Sequence, residues 1–434
     1  MYYVVKVAEN FVESKAKIFK TWYDNNMLDM TLITKKINVN LSFLKINNMI
    51  TDYYLLDDLL SDEHKLIRQS VKEWIERKIK PVIDEYAQKH EYPEFSIREL
   101  GELGVLGSFI PEEYGGSGFD QIAYGLMMQE LEAGDSAIRS TASVQTSLVM
   151  YPIFTFGSEA QKQKYLPKLA SGEYVGCFGL TEPNHGSDPG SMESRIVKKD
   201  GYYLLNGAKM WITNSPIADV AVVWAKDEEG IVHGLIVEKG MKGFSAPEIK
   251  NKWSLRASLT GELVFDNVKI PEENILPDIK GLKGPMMCLN SARYGIAWGA
   301  IGAALDCFQT AVQYTEERKQ FKRSLNTFQL TQKKLAEMLT EITKAQLLAW
   351  RLGVLKNENR ATPAQISMAK RNNVKMALKI ARDSRQMLGA MGIAGDYPIM
   401  RHMMNLESVI TYEGTHDIHL LITGMDITGT PAFK

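Results

Sequence analysis

The chain is poor in the residues that mark several common classes of protein. It has only three cysteines, Cys177, Cys288 and Cys307, among 434 residues. They lie far apart without metal-ligand spacing, so they read as buried free thiols of a reducing compartment rather than a disulfide framework. The seven histidines form no HExxH pair and no Cys/His set, which leaves no expected metal site. No apolar run approaches the roughly 18 residues of a membrane-spanning helix. The net charge is -1, so there is no basic excess to attract nucleic acid. Arginine is missing until Arg68, while Glu9, Glu13, Asp24 and Asp29 are scattered through an Asn-, Lys- and Ile-rich start. A mitochondrial presequence is arginine-rich and acid-poor, and a secretory signal carries a clean apolar run; neither pattern is present. Residues 1–48 therefore read as a weakly structured extension, with a helical arm as the alternative and Met49 as a natural start. The chain reads as a cytoplasmic protein of bacterial type.

What is present is ordinary globular composition, 45% hydrophobic and 24% charged, at a length that implies two or three domains. Residues 49–175 carry helical periodicity. Ser61 with His64 is a partial capping box, Pro81 interrupts a run from Leu66 to Ala87, and a second helix runs from Ile97 to Leu106 and ends at Gly107. Further helices cover Gln121–Glu132 and Ala137–Phe154, with Asp135 or Ser136 as N-cap. From residue 176 to 283 the period becomes two. Tyr202–Leu205 and Lys209–Thr213 flank Asn206-Gly207, which predicts a hairpin. Val220–Ala225 pairs with Ile231–Val237, and Leu263–Val268 follows, giving a small β-barrel. Residues 284–434 return to long amphipathic helices, an up-and-down bundle. The fold class is thus α+β and multidomain: helices, then a β domain, then a four-helix bundle.

Five stretches carry chemistry. Thr411-Tyr412-Glu413-Gly414-Thr415-His416-Asp417 sets one carboxylate beside a glycine between apolar helical segments. Poor solvation there makes Glu413 a stronger base, and Gly414 allows close approach; the plain alternative is a glutamate before a helix C-cap. Cys177 to Asp188 combines small residues, backbone amides and hydroxyls that suit a planar heterocycle, or is simply a turn punctuated by Pro183 and Gly186. Trp211, in Lys209-Met210-Trp211-Ile212-Thr213, offers a flat face to an aromatic ligand or is a core residue. Arg318, near Phe321 and Gln329, suits a pyrophosphate or is a solvated helix end. Gln386-Met387-Leu388-Gly389-Ala390 permits close approach of another chain or an adenine, or is a C-cap.

In this order these motifs are specific. From about Tyr53 to Phe433 the chain resembles the acyl-CoA dehydrogenase family. The resemblance implies FAD held between the β domain and the bundle. Phe178, Gly179, Leu180, Thr181, Ser187, Trp211, Ile212 and Thr213 would line it from one side. Arg318, Phe321, Gln329 and Gln386, Met387, Leu388, Gly389 and Ala390 would reach the FAD of a neighbouring subunit. Thr415, His416 and Asp417 would lie beside its phosphates. Glu413 matches the catalytic base, and Ser187, Asn290, Arg293 and Gly414 match contacts to an acyl-CoA thioester.

Within the family the chain is similar to the branch that acts on glutaryl-CoA. Runs such as Ser254-Leu255-Arg256-Ala257-Ser258 and Ala292 to Gly299 carry that likeness. So does Arg139, in Ile138-Arg139-Ser140-Thr141-Ala142-Ser143. In that branch the matching arginine binds a distal carboxylate, with Ser140, Ser143 and Glu132 as neighbours. The alternative is a structural ion pair of Arg139 with Glu132 or Asp135. The resemblance further implies decarboxylation to a crotonyl product, electron-transfer flavoprotein as acceptor, and a homotetramer. Rivals are a short-chain monocarboxylic dehydrogenase or oxidase and a non-catalytic CoA-binding protein. Retention of Glu413, Trp211 and Arg318 argues against the last. A chain begun at Met49 should match the full chain in melting temperature and turnover. A marked loss in either would show that residues 1–48 stabilise the enzyme.

Overall fold

A computed structural model describes residues 51–433. The chain divides into two compact units, Met1–Leu55 and Leu56–Lys434. Of the first unit only a short turn is described, closed by Leu55 N donating to Asp52 O at 3.3 Å. The expected extension 1–48 lies outside the described residues.

The second unit opens with helix α1 (Asp62–Trp74). Its capping box is complete: Ser61 Oγ accepts from His64 N, and His64 Nδ1 accepts from Ser61 N. An imidazole does here what a glutamate ordinarily does. The helix runs into a π-helical stretch, Ile75–Ile79, and restarts after Pro81 as α2 (Ile83–Lys89). Helix α3 spans Phe95–Glu102, shorter than expected. Gly104, at φ 69°, turns the chain before Gly107 can, so the nearer of two left-handed glycines stops the helix. Helix α4 (Gln121–Gly134) is buried on nearly all sides. Helix α5 (Ser136–Ser143) is capped by Asp135, whose carboxylate accepts from Ala137 N at 2.7 Å. The same helix continues through a π stretch, Val144–Met150, into α6 (Tyr151–Phe156), and α7 (Glu159–Ala170) closes the region.

The middle region is one seven-stranded sheet: β1 (Gly176–Gly179), β2 (Arg195–Lys199), β3 (Tyr202–Thr213), β4 (Val220–Lys226), β5 (Val232–Glu238), β6 (Phe244–Ser245) and β7 (Thr260–Pro271). The expected hairpin at Asn206-Gly207 is not formed; both residues lie inside β3, which pairs along its length with β7. A Cβ on Gly207 would stand 2.5 Å from Ser194 Oγ, and the ladder bulges between Leu205 and Gly207. The glycine therefore serves close strand approach, not a turn. Asn206 Oδ1 instead accepts from Asn267 N across the ladder at 2.8 Å. The β4–β5 hairpin forms as expected. Alternation then sorts the sheet's faces. Cys177, Ala221, Val223, Leu235 and Leu263 fill a core inside the sheet, while Phe178, Val222, Trp224 and Ile236 pack on Val149, Met150 and Tyr165 of the helical region. Each such fully buried large side chain contributes about 1.5–3 kcal/mol.

The last region has α8 (Lys283–Glu317), a two-strand turn of β8 (Lys319–Gln320) and β9 (Arg323–Ser324), then α9 (Gln329–Asn357), α10 (Pro363–Met387), α11 (Ile399–Val409) and α12 (His416–Thr428). Arg318 and Gln329 stand at a helix exit and the next entry, as expected. Helix α10 stops at Met387, and Gly389–Ile393 forms a short 3-10 turn. Polar ties lock the regions together. Arg401 of α11 pairs with Asp84 at 2.6 Å and with the capping Asp135 at 2.5 Å. Asn405 Oδ1 accepts from Leu255 N in the loop before β7. Lys80 and His402 both reach the buried Asp306, at 2.6 and 3.0 Å.

Helices α4 and α8 cross so closely that a Cβ on Gly302 would lie 1.8 Å from Gln129 O. Gly302→Ala should therefore cost at least about 1–3 kcal/mol, the overpacking range, because backbone cannot move aside as a side chain can. A melt within a degree of the parent's would contradict that crossing.

Candidate functional site

Glu413 occupies the short link between α11 and α12. Its backbone is left-handed, φ 52°, and Gly414 follows at 97°. The first conformation is costly for a residue with a Cβ, about 1–3 kcal/mol, and persists only where surroundings impose it. They do so through the carbonyls. Arg293 Nε donates to Glu413 O at 2.7 Å. Lys370 Nζ, from α10, donates to Tyr412 O and Gly414 O, both at 2.9 Å. Thr415 then N-caps α12 by accepting from Ile418 N, placing His416 and Asp417 in its first turn. Gly414 leaves little room for a side chain, since a Cβ would be 3.0 Å from His419 Nε2 and 3.2 Å from Arg293 Nη2, and its φ of 97° disfavours one. The segment is thus not a helix C-cap, because α11 ends before it, at Val409.

The Glu413 carboxyl is the polar group that this scaffold leaves over. Its Oε2 is buried and has no hydrogen-bond partner. Burial raises its pKa above the ordinary carboxylate range, while Arg139, Lys370 and Arg293 pull it back. Burial likewise lowers Lys370 to about 7. A carboxylate with weak solvation, no partner and cations at its back is arranged to take a proton from something that enters.

Arg139 lies on α5, fully buried. Its Nε donates to Glu132 Oε2 at 2.7 Å, and its Nη2 donates to the Tyr412 hydroxyl. Glu132 Oε1 accepts in turn from Ser136 Oγ at 2.8 Å. The ion pair with Glu132 is therefore formed, and Asp135 is engaged elsewhere, with Arg401. Arg139 Nη1, however, is buried without a partner, and so is the Ser143 hydroxyl one turn on. Ser140, between them, is buried too. Asn290 Oδ1 accepts from Arg293 Nη1 at 3.2 Å, so Asn290 steadies the arginine that braces the Glu413 link. Glu132, Arg139, Asn290, Arg293, Glu413 and Gly414 accordingly belong to one hydrogen-bonded cluster. Tyr412 and Lys370 connect it. Nothing in the spacing of the sequence marked Lys370, which looks like one more basic residue of an amphipathic helix.

The flavin-type positions are joined separately. Phe178 and Gly179 end β1, and Met210 N donates to Thr181 O at 2.9 Å, coupling that strand's exit to the Trp211 bulge. Lys209, fully buried, donates to Leu180 O at 3.2 Å and Glu182 Oε1 at 2.8 Å. Trp211 has φ 62° and is 55% exposed, so it is not a core residue. Ile212 is buried beneath it, and Thr213 is half-buried. A strained tryptophan held out as a bare flat face fits the ring of an FAD, as does the small-residue strand end at Gly179-Leu180-Thr181. Ser187 is exposed in the loop that follows. An open cavity of about 340 Å³ lies beside that loop, lined by Glu182, Pro183, Glu193, Arg195, Asn206 and Gly207 but not by the Glu413 cluster.

Arg318, Phe321 and Gln329 are exposed, Phe321 at 88%. Gln386, Gly389 and Ala390 are exposed as well, Met387 is half-buried and Leu388 is buried. Among the described residues no hydrogen bond or ion pair connects either group to the Glu413 cluster. The described residues hold no group of side chains suited to a metal ion and no helix long and apolar enough to cross a membrane. All three cysteines are buried and free.

Glu182 gives a pH test of this framework. Burial opposes its charge, but the Glu193 amide, Lys209 and Ser194 hold the carboxyl down at about 2, against an ordinary 4.5. A depressed carboxylate stabilises the fold above the unfolded value and loses that contribution as pH falls through the folded one. Melting temperature should therefore fall between about pH 4.5 and 2, and Glu182→Gln should flatten that part of the curve. At neutral pH the variant should lose at most about 3–5 kcal/mol, because Lys209 can shed its proton. An unchanged acid limb would remove Glu182 from this role.

Comparison with known proteins gives three family-model matches in chain order: the N-terminal domain of acyl-CoA dehydrogenase over residues 61–173, its middle domain over 177–268 and its C-terminal domain over 280–428. A glutaryl-CoA dehydrogenase of Desulfococcus multivorans is 36% identical over 384 residues, 86% of this chain and 98% of that protein. Two structures of glutaryl-CoA dehydrogenase from Mycobacterium smegmatis, 50% and 46% identical, each superpose with a TM-score of 0.87 over 89% of this chain and 99% of theirs; the second is a complex with FADH2. Butyryl-CoA dehydrogenase from Megasphaera elsdenii, 35% identical, superposes with a TM-score of 0.82 over 85% of this chain and 98% of that one.

Proposed function

The chain belongs to the acyl-CoA dehydrogenase family and uses FAD, and from that premise we propose that it oxidises glutaryl-CoA, with loss of carbon dioxide to give crotonyl-CoA. The observation that carries the choice of substrate is Arg139. A buried guanidinium with two of its nitrogens occupied still has Nη1 free, beside an unpaired Ser143 hydroxyl. An unpaired buried donor is costly, and a substrate's distal carboxylate would satisfy both groups. The glutaryl-CoA relatives support this reading. The butyryl-CoA relative supports a second one, a short-chain monocarboxylic substrate, in which Arg139 serves only to hold Glu132 and Tyr412.

FAD, when bound, supplies the acceptor for the hydride that leaves the β-carbon. The chain's own part begins with Glu413, whose carboxylate takes the α-proton of the thioester. Trp211 and the Leu180-Thr181 strand end orient the ring. Arg293 and Asn290 keep the base in place. Arg139 would hold the acyl chain's far end, so that the γ-carboxylate is fixed until it departs as carbon dioxide; the proton taken by Glu413 is then available for the γ-carbon left behind, which gives the crotonyl product. We assign Arg318, Phe321, Gln329 and the segment Gln386–Ala390 to a neighbouring subunit's FAD in a homotetramer, and electron-transfer flavoprotein as the electron acceptor. The exposure of Arg318, Phe321, Gln329, Gln386, Gly389 and Ala390 in the single chain supports the first assignment.

Glu413→Gln should retain fold and flavin while turnover falls at least about a hundredfold, the scale of general-base catalysis. Near-normal turnover would exclude Glu413 as the base. Arg139→Gln leaves the buried Glu132 without its cation, with only the Ser136 hydroxyl as partner, so the melting temperature should drop. Its kcat/KM should fall far more for glutaryl-CoA than for butyryl-CoA, by about 2–5 kcal/mol or roughly thirtyfold to several-thousandfold. Equal losses on both thioesters would favour the monocarboxylic reading.

A further inference from the structure

Lys370 is the largest feature of the site that the reaction as described does not use. It is a lysine at 1% exposure with no carboxylate in hydrogen-bond contact. Burying an ammonium is expensive, and neutral carbonyls offset that less well than an anion would. Its two bonds bracket Glu413: one goes to the carbonyl before it and one to the carbonyl after it, both at 2.9 Å. The carbonyl between them is taken by Arg293 Nε at 2.7 Å. Three successive carbonyls thus point back into cationic donors. With its carbonyls fixed, the link is held in the left-handed backbone at Glu413, and the Glu413 side chain keeps Oε2 buried without a partner.

Resting on the assignment of Glu413 as the base, we infer that Lys370 is a positioning residue for the proton transfer: it clamps the carbonyls of Tyr412 and Gly414 and thereby holds the Glu413 carboxylate aimed at the substrate's α-carbon. It touches neither substrate nor cofactor in this role. The charged groups that face it come from four elements: Glu413 on the link, Arg293 on α8, Arg139 on α5, and His419 on α12, whose own pKa burial lowers to about 2, leaving it neutral. Of these only Glu413 is an anion. Removing the Lys370 charge therefore withdraws one of three cations that favour the ionised base, and the base should protonate at higher pH.

The test uses the flavin-loaded enzyme with Lys370→Met and Lys370→Gln, all rates normalised to bound flavin and read beside a thermal melt. Misaiming a reacting group by about 1 Å costs on the order of a hundredfold. The Met variant should therefore lose about tenfold to a hundredfold in kcat, with KM within about threefold. The acid limb of kcat should move up by about one pH unit, the lower end of a nearby-charge effect. The Gln variant keeps amide donors for the carbonyls but no charge. It should recover part of kcat and keep the shifted acid limb, and it serves in place of Met if that variant does not fold. A lysine that only stabilises the fold would lower the melting temperature and leave kcat per flavin and the acid limb unchanged in either variant; that result overturns the inference. Glu413→Gln run alongside separates the two ideas. If it turns over normally, the reading of the base fails; if it is dead while the Lys370 variants are normal, only the clamp fails.

Discussion

The structure turns on a half-buried glutamate, one of whose carboxylate oxygens is buried and has been denied a partner. A glutamate taken out of water ordinarily finds hydrogen bonds or gives up its charge. Glu413 finds none for Oε2, yet three cations stand close enough to oppose the rise that burial imposes on it. That arrangement is possible because the cations spend their hydrogen bonds on the backbone, Arg293 on the Glu413 carbonyl and Lys370 on the two beside it. The charge is felt by the carboxylate, but the donors are not neutralised by it. A poorly solvated base, with Oε2 unpaired and its charge favoured by nearby cations, is the result.

The rest of the fold makes this affordable by joining three regions at one place. The link that carries Glu413 lies between α11 and α12; Arg293 comes from α8, Lys370 from α10, and Arg139 from the helical region that precedes the sheet. Helices α5 and α11 are tied through Asp135 and Arg401, and α11 is tied to the loop before β7 through Asn405 and Leu255 N. The flavin-type strands are braced from behind by the buried Lys209–Glu182 pair. Among the described non-glycine residues with left-handed backbone are two that matter for chemistry, Glu413 and Trp211.

Much of this was legible in the chain. The order of helical and period-two regions follows from hydrophobic spacing, and Glu413, Trp211, Arg293 and Arg139 stand in runs whose resemblance to a known family is specific. Three features were not legible. Asn206-Gly207 has the local chemistry of a hairpin, but the pairing partner of both flanks is β7, a choice made by contacts some sixty residues away. His64 completes a capping box because its ring reaches back as a glutamate would, which a pattern written for glutamate does not contain. Lys370 forms part of the site only because α10 brings it under a link forty-two residues further on. For Arg139 both readings left open by the sequence have support: the Glu132 pair is made, and a donor remains free.

The most direct test of the account is anaerobic mixing of the flavin-loaded enzyme with glutaryl-CoA, following the flavin colour and then the products. The account predicts that the flavin bleaches and that crotonyl-CoA and carbon dioxide appear in equal amounts. A flavin that stays oxidised with glutaryl-CoA but bleaches with butyryl-CoA would contradict it, and would leave Arg139 as a strut of the site with no substrate to hold.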